Sequence, residues 1–303
     1  MRLAAIRAFV KLGRPLFLGG GFLLYGLGAA VAAQAGHSID VGRYLVGQLA
    51  VTAFQLMTHY ANDYFDFATD CANTTPTRWS GGSRVLVAGE LPREVALVAA
   101  LVLALAGIAV SVSLAFAGTG ALTVPTLGAI FVLAWAYSAP PLRLCARGAG
   151  ELATAVVVTL LVPFLAFYLQ AQHLTGARIL LAAVVTPALL QFAMLLAIEL
   201  PDAAGDAATN KRTLVVRLGA ARAIQLYIAA TALAYLWLPV GIALGLPARV
   251  ALAAALPVPV ALWRIARIAA DHRDPSAFGR LTFFAVFLLV ATAAAELVAF
   301  LLQ

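Results

Sequence analysis

Apolar segments of about 20 residues recur nine times along this chain, and short polar links separate them. They run approximately over 16–36, 42–61, 95–117, 119–139, 151–172, 178–200, 222–245, 249–270 and 281–302. About 20 apolar residues are what one helix needs to cross a hydrocarbon core. In lipid every backbone polar group must be satisfied within the chain, so only helices and closed barrels can span it, and these segments are about twice as long as barrel strands. The composition agrees. Hydrophobic residues make up 63% and charged ones 11%, against about 45–50% and about 25% in soluble domains. The expectation is an all-α polytopic membrane protein, a bundle of nine transmembrane helices with loops capping its cytoplasmic end. Residues 1–303 form a single membrane domain with no separable soluble part.

The links between segments carry the charge. Seventeen of the 20 basic residues fall on the side of the N-terminus, and only Arg43, Arg178 and Arg249 fall on the other. Such an asymmetry puts the N-terminus in the cytoplasm and the C-terminus outside. It also accounts for the net charge of +7 without invoking nucleic acid. Before the first segment, Arg2, Arg7, Lys11 and Arg14 alternate with apolar residues, the pattern of an interfacial amphipathic helix. A signal peptide is the competing reading, but the run after Leu16 is long enough to span and is expected to remain. Cys71 and Cys145 follow no metal or redox spacing.

Chemistry concentrates at two segment ends. Asn62, Asp63, Asp66 and Asp70 close the second segment, and Asp202 and Asp206 close the sixth. Spacings of three and four put each set on one helical face, where like charges repel unless a cation offsets them. Ionisable groups at membrane depth are costly and mark function. All donors are hard oxygens with no Cys or His cluster nearby, which points to Mg²⁺ or Mn²⁺ rather than zinc. Mg²⁺ favours one or two carboxylates plus substrate phosphates, so these sets read as incomplete without a phosphorylated substrate. Asp66 to Asp202 and Asp70 to Asp206 are each 136 positions apart, a hint of a duplicated four-helix unit. The polar loops at about 70–94 and 202–221 follow the two sets and are placed to cap a site between them.

Lys211 and Arg212 follow Asp206, while Arg143 and Arg147 occupy another loop on the same side. Cations beside metal-bound carboxylates suit a diphosphate, although topology alone explains most basic residues here. Tyr137-Ser138-Ala139-Pro140-Pro141-Leu142-Arg143 reads as a stiff turn ending the fourth segment.

These motifs together resemble the UbiA superfamily of intramembrane prenyltransferases. Asn62-Asp63-x-x-Asp66-x-x-x-Asp70 is similar to its first aspartate motif. Asp202-x-x-x-Asp206 followed by Lys211-Arg212-Thr213-Leu214 is similar to its second, and Arg14-Pro15 resembles the start of its first helix. The loop from Tyr137, with Arg147-Gly148-x-Gly150-Glu151, resembles the branch that prenylates 1,4-dihydroxy-2-naphthoate in menaquinone synthesis. There are departures from that branch: Ala207 stands where an Arg is usual, Asn210 where a Gly is usual, and Glu199 where many relatives carry Asn.

The resemblance implies Mg²⁺-dependent transfer of a polyprenyl group from its diphosphate to an aromatic acceptor, on the cytoplasmic side of the inner membrane. Asp63, Asp66, Asp70, Asp202 and Asp206 would hold metal. Lys211, Arg212, Arg143, Arg147 and Tyr137 would contact substrate, and Asn62, Asp66 and Asp202 would serve the chemistry directly. Tyr64, Phe65, Tyr137 and Tyr168 are candidates to stabilise an allylic cation, and Glu199 and Glu151 are candidate bases. Other acceptors remain open, namely 4-hydroxybenzoate, homogentisate, chlorophyllide, haem or a glycerol phosphate. A cation-coupled transporter would instead keep its carboxylates near the bilayer midplane, where only Glu296 stands.

Overall fold

A computed structural model describes residues 2–302, and the described residues contain helices and turns but no strand. The short α1 (Arg2–Leu12) precedes α2 (Pro15–Gln34) and α3 (Val41–Phe65). After α4 (Phe67–Ala72) come α5 (Arg93–Phe116), α6 (Thr123–Ser138) and α7 (Gly150–Ala171). The second half holds α8 (Ala177–Ala208), α9 (Leu214–Leu218), α10 (Ala220–Ala243), α11 (Ala248–Asp271) and α12 (Phe278–Leu301). Each of the nine apolar segments is therefore helical. Seven helices are long and apolar enough to cross a membrane. The other two fall short for different reasons. α6 has only 16 residues, about 24 Å at the helical rise. α3 has 25, but Arg43, Gln48, Gln55 and His59 dilute its apolarity.

The helices start and stop where local chemistry directs. Pro15 takes the first position of α2, where its missing N–H costs nothing. Asp40 caps α3 by accepting the Arg43 N–H at 3.0 Å. Thr213 caps α9 by accepting the Val216 N–H at 3.3 Å.

Packing follows the rule for helices in lipid, where close approach of small residues replaces hydrophobic burial as the main attraction. On α5, Ala96, Ala100, Ala104 and Gly107 are buried at helical spacing. They face α3, and a Cβ on Gly107 would lie 2.4 Å from the Phe54 ring. The opposite face presents Val98, Leu101, Val102 and Leu105, the last 68% exposed. This inversion of the soluble pattern, small residues in and large aliphatics out, is what a lipid-facing helix requires. α7 contains a seven-residue π-helical stretch, Ala155–Leu161. Beyond it, Pro163 presses its carbonyl on Gly28 of α2, where a Cβ would lie 2.0 Å from that oxygen.

One core cluster joins α3, α5, α6 and α7, and a second joins α8 and α10 to α12. Between them lies a cavity of about 510 Å³, and aspartates from both groups line it.

Candidate functional site

The two aspartate sets reach the cavity by different routes. The second lies on continuous helix, since α8 runs two turns past the expected segment end and carries Asp202 and Asp206 within it. The first does not form the single acidic face expected from its spacing. Helix α3 ends at Phe65 and α4 begins at Phe67, while the Asp66 and Asp70 N–H groups still donate to the Asn62 and Asp66 carbonyls at 2.8 and 2.9 Å. Asp63 turns to Arg14, while Asp66 and Asp70 line the cavity.

Asp63 points away from the cavity. It is 2% exposed and pairs with Arg14 and with the hydroxyl of Ser83. The Ser83 N–H also donates to it at 3.2 Å. Arg14 in turn donates to Asn62 Oδ1 at 3.0 Å. Burial opposes the Arg14 charge, but Asp63 and Asp70 outweigh it and raise its pKa.

Asp66, Asp70, Asp202 and Asp206 all line the cavity, with Asn62, Tyr137, Glu199 and Lys211. Lys211 stands between the sets. Its Nζ lies 2.9 Å from Asp66 Oδ2 and 3.6 Å from Asp206 Oδ1. Burial alone would discharge this ammonium, yet the two carboxylates hold its pKa well above the usual lysine range. Asn62 Nδ2 donates to Asp66 Oδ2 at 2.9 Å and to Ser138 Oγ at 3.0 Å. Asp66 Oδ1 and Asp206 Oδ2 are buried without any hydrogen-bond donor. Burial pushes the Asp70 carboxyl up to about 7, with Asp63 and Asp66 adding to the effect and Arg14 and Lys211 opposing it.

The loop after α4 covers the mouth. Its Gly81 N–H donates to Asp202 at 3.0 Å, and Asn73 Nδ2 donates to the same carboxylate at 2.7 Å. Gly82 has φ +73°, and a Cβ there would lie 2.1 Å from Asp70 Oδ2, so both backbone conformation and space demand glycine.

Other expected residues stand farther off. Arg143 is 3.9 Å from Asp66 at the cavity rim. Arg147 and Arg212 are exposed: Arg147 donates to the Pro141 carbonyl at 2.8 Å, and the Arg212 N–H donates to the Ala146 carbonyl at 3.1 Å. Of the aromatic candidates only Tyr137 lines the cavity. Tyr64 carries the Arg93 guanidinium at 4.3 Å, Phe65 packs edge-on to Trp135, and Tyr168 stacks on Phe164.

Several wall residues were not singled out from the sequence as site residues: Asn73, Trp79, Gly81, Gly82 and Gln191, with Arg14 known only as a motif residue. The Gly81-Gly82 pair after an acidic set was the available signal. Gln191 offered none, being one polar residue in an apolar helix.

The arrangement fits a hard divalent cation. Its donors are oxygens, and two buried carboxylate oxygens lack a partner. No three acidic side chains among the described residues converge into a cage, so a cation here would draw further oxygens from water or from a ligand. Beside the four cavity aspartates, Lys211 is paired with Asp66 and Asp206, and Arg14 is paired with Asp63.

Solved structures share this fold. A digeranylgeranylglyceryl phosphate synthase superposes with TM-score 0.67 at 13% identity, covering 99% of both chains. A UbiA homolog from Archaeoglobus fulgidus, bound to GPP and Mg²⁺, gives TM-score 0.64 at 14% identity over 95% of this chain and 99% of that one. The apo UbiA homolog from Aeropyrum pernix gives 0.65 at 17%, over 91% and 97%. No curated protein matches the chain. The model of the UbiA prenyltransferase family matches residues 22–298, and with both aspartate sets meeting at one cavity, the chain belongs to that family.

Proposed function

We propose that this protein transfers a polyprenyl group from its diphosphate to an aromatic acceptor, with Mg²⁺ bound at the paired aspartates. The observation that carries this reading is the pair of orphaned oxygens, Asp66 Oδ1 and Asp206 Oδ2, on either side of Lys211 at the mouth of an apolar cavity. The Archaeoglobus homolog bound to GPP and Mg²⁺ supports it, as does its complex with DMAPP and Mg²⁺.

Asp66, Asp70, Asp202 and Asp206 would hold the metal, which supplies charge neutralisation for the departing diphosphate. Asn62 fixes the Asp66 carboxylate, and Lys211 donates to the diphosphate oxygens. The Arg14–Asp63 pair and Ser83 brace this constellation from behind. Arg143 reaches the diphosphate from the rim, while Arg147 and Arg212 hold the loops that carry Arg143 and Lys211. The apolar wall from Leu16 to Leu24 and from Phe283 to Val290 takes the isoprenoid and excludes water from the cation. The face of Tyr137 stabilises that cation.

We favour 1,4-dihydroxy-2-naphthoate as acceptor, on the strength of the Tyr137 loop and of Lys211-Arg212-Thr213-Leu214. We also propose that α3 and α6 cross the membrane with the other seven helices. Nine crossings keep the basic links on one side, with the N-terminus and the site cytoplasmic and the C-terminus outside.

The test uses the purified chain in detergent with Mg²⁺, a polyprenyl diphosphate and a panel of acceptors, with products read by mass spectrometry. A prenylated, decarboxylated naphthoquinol is expected. A product with only 4-hydroxybenzoate or a glycerol phosphate would overturn the acceptor assignment, and no product with any acceptor would overturn prenyl transfer.

A further inference from the structure

Away from the aspartates, most neutral polar side chains in the cavity wall are satisfied by backbone carbonyls. Gln55 Nε2 donates to the Phe17 carbonyl at 2.8 Å, Thr58 Oγ1 to the Phe54 carbonyl at 2.8 Å, and Thr154 Oγ1 to the Gly150 carbonyl at 2.6 Å. His59 Nδ1 lies 2.7 Å from the Gly13 carbonyl. Gln191 on α8 is the exception. It is 3% exposed and lines the cavity, and its side-chain amide hydrogen-bonds no described residue. On α8 the lining residues run from Asp206 back to Gln191, and Met194, Leu195 and Ile198 separate it from Glu199. On α3 they run from Asp66 back to Val51. Each run is 15 residues long, about 22 Å at the helical rise. Gln191 thus stands at the end of the cavity remote from the aspartates. A buried amide there is costly unless water or a ligand satisfies it.

We propose that Gln191 limits the length of prenyl chain that the cavity encloses, a role that rests on the prenyl-transfer reading above. With the diphosphate at the aspartates, the tail runs along the apolar wall toward Gln191. One isoprene unit adds four carbon–carbon bonds to the chain, about 5 Å when extended. A geranyl tail therefore covers about 10 Å and ends among the apolar residues before Gln191. A geranylgeranyl tail covers about 20 Å and reaches the amide. Burial of hydrocarbon favours each added unit up to that point. The last unit of the longer tail must displace the water that satisfies Gln191, and it offers neither donor nor acceptor in return. The cost of an unpaired amide then falls on the long donor alone. The favoured donor is thus a prenyl diphosphate of about two or three units. An apolar residue at this position would impose no such limit.

The test compares geranyl, farnesyl and geranylgeranyl diphosphates on the full chain in detergent, with Mg²⁺ and the acceptor on which the wild type acts. The readout is kcat/KM for each donor. The wild type is expected to use farnesyl diphosphate better than geranylgeranyl diphosphate by about 5–100-fold. Gln191→Met keeps the length of the side chain and removes the amide. It should raise the ratio of geranylgeranyl to geranyl use by about tenfold or more. Gln191→Glu puts a charge at the same place and should lower that ratio below the wild-type value. A variant that folds in lower yield lowers all three rates together and does not move the ratio. An unchanged ratio in Gln191→Met overturns the proposal. So does a wild type that uses geranylgeranyl diphosphate as well as farnesyl diphosphate, whatever the variants do, because the tail then lies elsewhere. A wild type that transfers none of the three to any acceptor overturns prenyl transfer itself, and the role of Gln191 with it.

Discussion

Lys211 and Arg14 divide the five aspartates between chemistry and architecture. Arg14 neutralises Asp63, which does not line the cavity, whereas Lys211 leaves an oxygen of Asp66 and one of Asp206 unsatisfied. Removing a cavity carboxylate should therefore cost activity and not stability. Asp66→Ala or Asp206→Ala is expected to lower transfer by about 10²–10³-fold or more with an unchanged melting temperature in detergent. Arg14→Met leaves Asp63 buried without its cation and should destabilise the fold by about 3 kcal/mol, seen as a lowered Tm. The protons follow the same division. Burial raises the Asp70 carboxyl to about 7, so below that pH the metal-free site keeps a proton there. Cation binding must expel it. Mg²⁺ affinity should rise as pH increases through about 7, with proton release detectable by calorimetry in buffers of different ionisation enthalpy.

Among the elements, α5 gives the sharpest test of packing. Gly107→Leu would drive a side chain into Phe54 and should cost about 1–3 kcal/mol. Leu105→Ala on the exposed face should leave the Tm nearly unchanged. All nine helices were legible in the sequence because apolar length dictates them. The limits of α8 were not. Asp202 and Asp206 look like the end of a segment by hydropathy, yet Lys211 and Asn73 supply the charge and hydrogen bonds that let the helix continue past them. The divergence of Asp63 from Asp66 and Asp70 was hidden for the opposite reason. Periodicity suggested one acidic face, but no local residue offsets three adjacent carboxylates, and Arg14 and Ser83 draw Asp63 elsewhere from distant positions. The cavity-lining aspartates were legible as motifs. The roles of Asp63 and Gly82 depend on long-range contacts that spacing cannot reveal.

For the whole molecule, two helical groups enclose a cavity whose opening is acidic and whose depth is apolar. This polarity suits the proposed placement of diphosphate and metal at the acidic end and of hydrocarbon along the apolar wall. Chelation should separate the two. EDTA is expected to abolish transfer and leave helicity by circular dichroism intact, with activity restored by Mg²⁺. The nine-crossing arrangement has its own check. Single cysteines introduced near the start of α1 and after α12 should be labelled by impermeant reagents from opposite sides of the membrane. Labelling from the same side would require an even number of crossings.

The loop over the mouth also bears on how the protein is made. Asn73 donates its hydrogen bond to Asp202, a partner 129 residues later in the chain, and Gly81 does the same across 121. During synthesis the first acidic set enters the membrane well before α8 leaves the ribosome. Until then its covering loop has nothing to fasten to, and half of the aspartates that line the cavity do not yet exist. The reactive pocket is thus assembled late, after most of its walls are in place. On the proposed chemistry, a nascent chain cannot generate an allylic cation beside an unfinished helix, where the nearest nucleophile would be water or the chain itself.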